Sequence, residues 1–96
     1  MSEVEMELDD KGQGSFYIYE NNERIAKMVF GISGDKLTVY HTEVEPEDEG
    51  EGLAKDLLAN MVSYARKNKL KVIPLCPFVA AQFKRNSKEY EDIWEK

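Results

Sequence analysis

From Val4 to Thr42 apolar and polar residues alternate with period two, and turn residues cut the pattern into four runs. Val4–Leu8 reads Val-Glu-Met-Glu-Leu, a strand with one face in water. The cluster Asp9-Asp10-Lys11-Gly12-Gln13-Gly14 turns the chain. Residues 15–19, rich in aromatic and β-branched side chains, form a second strand. Asn21 and Asn22 make the next turn, since Asn tolerates left-handed dihedrals. Residues 24–32 alternate around Ile25, Met28 and Phe30 as a third strand. Ser33-Gly34-Asp35 turns again into residues 36–42. Extrapolated along this fourth strand, the period puts Leu37, Val39 and His41 on one face and Thr38, Tyr40 and Thr42 on the other. Four strands on short turns predict an antiparallel meander.

The period changes at Gly52. Leu53, Ala54, Leu57, Leu58, Met61, Val62 and Ala65 recur at helical spacing, and Lys55, Asp56, Asn60, Ser63 and Arg66 face away. Arg66, Lys67 and Lys69 gather at the far end, where cations suit the helix dipole. Residues 70–75 read as a short buried strand. A helix between two strands of one sheet makes a right-handed crossover, so the fourth and fifth strands are expected to be parallel. Pro77 suits the first turn of a helix over residues 78–85, and residues 89–94 predict one or two further helical turns. The fold class is therefore α/β: a mixed, mostly antiparallel five-stranded sheet with one parallel βαβ crossover and a helical C-terminus. Residues 1–96 are expected to form one domain.

Bulk composition narrows the function classes. A net charge of −6 disfavours nucleic acid and anionic membrane surfaces as partners. A single cysteine excludes an internal disulfide and any multi-cysteine metal site. No run approaches the roughly 20 apolar residues of a membrane span. The acidic start, Met1-Ser2-Glu3-Val4-Glu5, lacks the apolar core of a signal peptide, so the expected location is cytoplasmic.

The candidate chemistry lies between Tyr40 and Pro77. Gly50 and Gly52 precede the helix, and a helix N-terminus with unpaired N–H groups binds anions. Six carboxylates and no base lie between Glu43 and Glu51. Those nearest the helix complement its dipole but repel an anionic ligand. Lys55, with Lys84 or Arg85, can restore positive charge.

His41-Thr42-Glu43-Val44, Gly50-x-Gly52-Leu53-Ala54-Lys55, Leu75-Cys76-Pro77-Phe78 and the closing Tyr90-x-Asp92 together resemble the small, single-domain branch of the GNAT N-acetyltransferase superfamily. The resemblance runs from about Lys36 to the C-terminus and implies an acetyl-coenzyme A site. The superfamily loop reads Gln/Arg-x-x-Gly-x-Gly/Ala; here Glu49-x-x-Gly52-x-Ala54 puts an acid at the first position. By the same resemblance, the pyrophosphate rests on backbone N–H groups of Gly50, Glu51, Gly52, Leu53, Ala54 and Lys55. Pantetheine then pairs with the fourth strand at Thr42 to Val44. The implied activity is N-acetyl transfer to an unidentified amine, a small molecule or a lysine side chain, with no metal.

Two residues are catalytic candidates. Cys76, at the end of the fifth strand, can cap the next helix, where a thiol is activated, and serve as a nucleophile. A buried hydrophobic role is the plain alternative. His41, at the end of the fourth strand, is a candidate base beside it, or a histidine bonded to a neighbour. Glu43 is either a base or a solvated acid. For Tyr64, Tyr90 and Trp94 packing is the simpler reading. Two non-enzymatic alternatives stand beside the transferase: an acyl-CoA-binding or protein-interaction module, and a thiol sensor using Cys76.

Overall fold

The computed structural model describes residues 3–50 and 52–96. Its elements are β1 (Val4–Leu8), β2 (Gln13–Glu20), β3 (Glu23–Ser33), β4 (Lys36–Val44), a 3-10 turn (Pro46–Asp48), α1 (Leu53–Lys67), β5 (Lys71–Pro74), α2 (Pro77–Arg85) and α3 (Ser87–Tyr90). The strands form one sheet in chain order. β1 to β4 are antiparallel and β5 runs parallel to β4, as the crossover requires.

Turn chemistry sets the register of the meander. One Asp9 side-chain oxygen accepts from the N–H groups of Lys11 (2.8 Å) and Gln13 (2.9 Å). Asn21 and Asn22 take φ of 53° and 67°, and Glu20 pairs with Glu23 across them. Two left-handed residues in a two-residue loop match the twist of the flanking strands.

One face of the sheet carries the core. Phe16, Ile18, Met28, Phe30, Leu37 and Val39 are buried there, and α1 covers them with Leu53, Leu57, Leu58, Met61, Val62 and Ala65. Each large apolar side chain so buried contributes about 1.5–3 kcal/mol. α1 ends in a Schellman turn. Lys69 sits at φ 55°, its N–H bonds to Arg66 O, and the Leu70 N–H bonds to Ala65 O at 2.8 Å.

The C-terminus departs from expectation. Residues 89–94 were expected to be helical, but α3 stops at Tyr90 and Trp94 bridges Val72 in parallel along the free edge of β5. The Val72 N–H donates to Ile93 O (2.5 Å), and the Glu95 N–H donates to Val72 O (2.9 Å). Pairing an open strand edge outweighs one more helical turn. Phe83 of α2 stacks on Tyr90 at 4.7 Å and meets Trp94 edge-on at 5.7 Å. Among the described residues, no helix is long and apolar enough to cross a membrane.

Candidate functional site

The site is built by a bulge in β4. Phe30 pairs with Val39 and Val29 with His41, which leaves Tyr40 inserted without an opposite residue. Its ring lies against Gly31, where an added Cβ would meet Tyr40 Cε2 and Oη at 3.2 Å. The insertion shifts the alternation by one residue. Leu37 and Val39 point into the core, but beyond Tyr40 it is Thr42, opposite buried Met28, that takes the core face. His41, opposite Val29, lies on the outer face. The predicted grouping of His41 with Leu37 and Val39 is therefore corrected: one inserted residue moves a strand's side chains to the other side.

The same shift exchanges the strand's edges. The Glu45 N–H bonds to Ile25 O at 2.8 Å, so Glu45 faces β3, as do Glu43 and His41 at two-residue steps. The backbone N–H and C=O of Thr42 and Val44 point the other way, toward β5. However, β5 has left: pairing ends at Val39–Pro74, and the N–H groups of Leu75 (3.1 Å) and Cys76 (2.9 Å) both close on Val39 O. Pro77 then starts α2. β4 and β5 thus splay apart beyond Val39, and among the described residues the backbone of Thr42 and Val44 has no partner on that side.

The predicted phosphate turn lies next to this gap. Gly50 and Gly52 take φ of 90° and 78°, left-handed values, and a Cβ at either position would meet nothing within 4 Å among the described residues. Conformation, not crowding, therefore requires glycine here, and the space beside the turn is open. Gly52 caps α1 without a side-chain hydrogen bond, and the first helical bond is Asp56 N–H to Gly52 O. The N–H groups of Leu53, Ala54 and Lys55 are thus left for a ligand. Glu51 lies outside the described residues. An open groove of about 520 Å³ joins the turn to the gap, lined by Thr42, Val44, Asp48, Glu49, Gly50, Gly52, Leu53, Ala54, Lys55 and Phe78. Every described member of the predicted coenzyme-binding set lines it. Asp48 and Phe78 join them without having been singled out for a ligand; Asp48 was hidden because an acid run reads as solvated.

The two catalytic candidates are not brought together. Cys76 is 2% exposed, stands at the N-cap position of α2 without a side-chain cap hydrogen bond, and sets its Sγ 3.3 Å from Thr42 Oγ1 across the splay. Thr42, not His41, is its polar neighbour. His41 Nε2 instead lies 2.7 Å from Glu43 Oε1 on the outer face, and Lys27 approaches Glu43 Oε2 at 3.6 Å. The hydrogen bond from His41, opposed by some desolvation and helped by Lys27, holds the Glu43 carboxyl below its usual range. With Nε2–H donating to Glu43, Nδ1 is left to accept a proton. Glu43, Glu45 and Glu49 line a second groove of about 520 Å³ that meets the first along Thr42, Val44 and Glu49.

Residues 15–93 match the model of a family described as GCN5-related N-acetyl-transferase. A search of curated proteins gave no match. Among solved structures, a GCN5-like proposed N-acetyltransferase from Staphylococcus aureus is 30% identical, with a TM-score of 0.67 over 99% of this chain and 91% of that one. A ribosomal-protein-alanine N-acetyltransferase from Brucella melitensis biovar Abortus 2308 is 19% identical, with a TM-score of 0.65 over 91% of this chain and 64% of that one. An aminoglycoside acetyltransferase from an uncultured soil metagenomic sample, solved with sisomicin, is 10% identical, with a TM-score of 0.66 over 92% and 62%. The last two share the fold, and this chain spans less than two thirds of their length.

Proposed function

The chain belongs to the GCN5-related N-acetyltransferases, and from that premise we propose that it binds acetyl-CoA in the groove between the Gly50–Gly52 turn and the β4–β5 gap and acetylates an amine. The observation that carries this reading is the bulge at Tyr40, which turns the free backbone of Thr42 and Val44 into the gap. An extended amide-bearing chain pairs with such an edge as a strand would. The N–H groups of Leu53, Ala54 and Lys55, with the Lys55 ammonium, receive the pyrophosphate. When bound, acetyl-CoA supplies the thioester that an amine attacks.

The chain's own residues supply the rest. On the outer face His41 Nδ1 takes a proton from the acceptor's ammonium group, leaving the neutral amine to attack, and Glu43 fixes the ring through Nε2–H. Along the second groove Glu43, Glu45 and Glu49 outnumber Arg24 and Lys27, a balance that suits a basic acceptor such as a polyamine or a lysine side chain. A second reading is favoured by the 3.3 Å approach of Cys76 to Thr42: the thiol carries the acetyl group between coenzyme and amine. In it, the Cys76 sulfur bonds the acetyl carbon as the coenzyme thiol leaves with the proton. The amine then displaces Cys76 as a thiol.

Titration calorimetry with acetyl-CoA, followed by release of free thiol across a panel of amines, tests the reading. Binding and amine-dependent thiol release are expected. Binding without turnover on any amine would leave a non-catalytic acyl-CoA module. For the Cys76 route, intact mass after incubation should show one acetyl adduct that Cys76→Ala abolishes.

A further inference from the structure

The sheet face opposite α1 carries a row of side chains in register across four strands. Glu7 pairs with Ser15, Ser15 with Val29, and Val29 with His41, so all four point outward in one line. Neighbouring strands lie about 4.8 Å apart, which sets the backbone of Glu7 about 14 Å from that of His41. Ser15 and Val29 form the floor between them. Tyr17 flanks this floor on one side, and on the other the Tyr40 ring and the Gln13 amide converge over Gly31. An open groove of about 590 Å³ follows the row as far as Val29, and Glu7, Gln13, Ser15 and Tyr17 line it. Two of its polar groups lack partners among the described residues. Ser15 is 8% exposed and makes no side-chain hydrogen bond. No fully buried side-chain oxygen or nitrogen described lacks a partner, so the Ser15 hydroxyl opens on the groove. The Glu7 carboxylate makes no salt bridge.

We propose that this row is the acceptor subsite and that the acceptor is a linear polyamine laid across the sheet from His41 to Glu7. The inference rests on the N-acetyltransferase reading above. The reacting amine stands at His41. The methylene chain crosses Val29 between Tyr17 and Tyr40, whose rings attract ammonium groups. The Ser15 hydroxyl accepts from an inner N–H group, and Glu7 pairs with the far ammonium. Arg24 rests over the Tyr17 ring at 3.9 Å and Lys27 pairs with Glu43, so these cations border the row without joining it. Length supports the fit. Extended spermine sets its end nitrogens roughly 16 Å apart, spermidine roughly 11 Å and putrescine roughly 6 Å. Spermine spans the row, spermidine nearly does, and putrescine stops over the floor.

The test is calorimetry with spermine, spermidine and putrescine, paired with thiol release from acetyl-CoA on each amine. Spermine should bind about tenfold more tightly than putrescine, with spermidine between them. Glu7→Gln, at an exposed position, should weaken spermine about threefold to fivefold, the worth of an exposed ion pair. It should raise the KM for spermine to the same degree, keep kcat, and leave putrescine and acetyl-CoA binding as in wild type. Glu91→Gln removes an equal charge away from the row and should change none of these values. Equal losses in the two variants would mean general attraction to an acidic protein and overturn the proposal. So would equal affinity for spermine and putrescine, or faster turnover of a lysine-bearing peptide than of spermine. Failure of acetyl-CoA to bind overturns the acetyl-CoA reading instead, and the polyamine titrations then still decide whether the row binds its ligand.

Discussion

Tyr40 stands between the pairs Phe30–Val39 and Val29–His41, and beyond it the two faces of β4 exchange roles. Period-two reading from Leu37 and Val39 puts His41 inside and beside Cys76. The bulge puts His41 outside, against Glu43, and gives Cys76 the hydroxyl of Thr42. The sequence holds one trace of this: apolar positions move from odd numbers at Leu37 and Val39 to an even one at Val44. Neither Tyr nor His marks a bulge by type, so the trace is readable only once the register is known. Under the proposed function, His41→Ala should lower kcat/KM by about 10²–10⁴-fold, the usual worth of a positioned base. Its affinity for acetyl-CoA, measured by calorimetry, should stay that of wild type, because His41 does not line the coenzyme groove. Glu43→Gln should cost less, since the amide oxygen still accepts from Nε2–H.

Elements were more legible than sites because each is fixed by local chemistry. The apolar stripe from Leu53 to Ala65 marked α1, and its residues are those that pack on the sheet. The ends of elements depend on single residues in unusual conformations. Lys69 holds φ 55° at the C′ position, where glycine is usual. A left-handed non-glycine residue costs about 1–2 kcal/mol, offset by the extra chain entropy glycine loses on folding, about 0.5–1 kcal/mol. Lys69→Gly should therefore stabilise the protein by about 0.5–1 kcal/mol. The check is a raised urea midpoint with an unchanged slope. The 3-10 turn at Pro46–Asp48 was not legible. Its buried acid sits in a run of carboxylates whose composition argues for solvent.

At the scale of the whole molecule the sheet order followed from short turns and one crossover, while the fastening of the C-terminus did not. Trp94 pairs with Val72 because β5 ends the sheet and exposes an edge, a non-local fact that no window of residues near 94 contains. This last segment is tied to α1 and β5 by charge. Arg66 Nε lies 3.0 Å from Asp92 Oδ2, Arg66 also donates to Glu89 O (2.6 Å), and Lys71 Nζ donates to Asp92 O (2.7 Å). The Arg66 hydrogen bond holds the Asp92 carboxyl below its ordinary range, with smaller help from the charges of Arg66 and Lys71 against desolvation. A carboxyl whose folded pKa is depressed adds stability above its unfolded pKa, near 3.9, and loses it as pH falls through the folded value. Asp92→Asn should therefore destabilise at neutral pH. The site is exposed, so solvent screening limits the loss to about 0.2–1 kcal/mol. The gap should shrink in high salt, and in acid it should begin to narrow near pH 4 and close as pH falls through the lower folded value, where wild type loses the charge too. Urea unfolding of both proteins across this range measures it. A gap that stays constant into acid would mean that Asp92 acts through shape rather than charge.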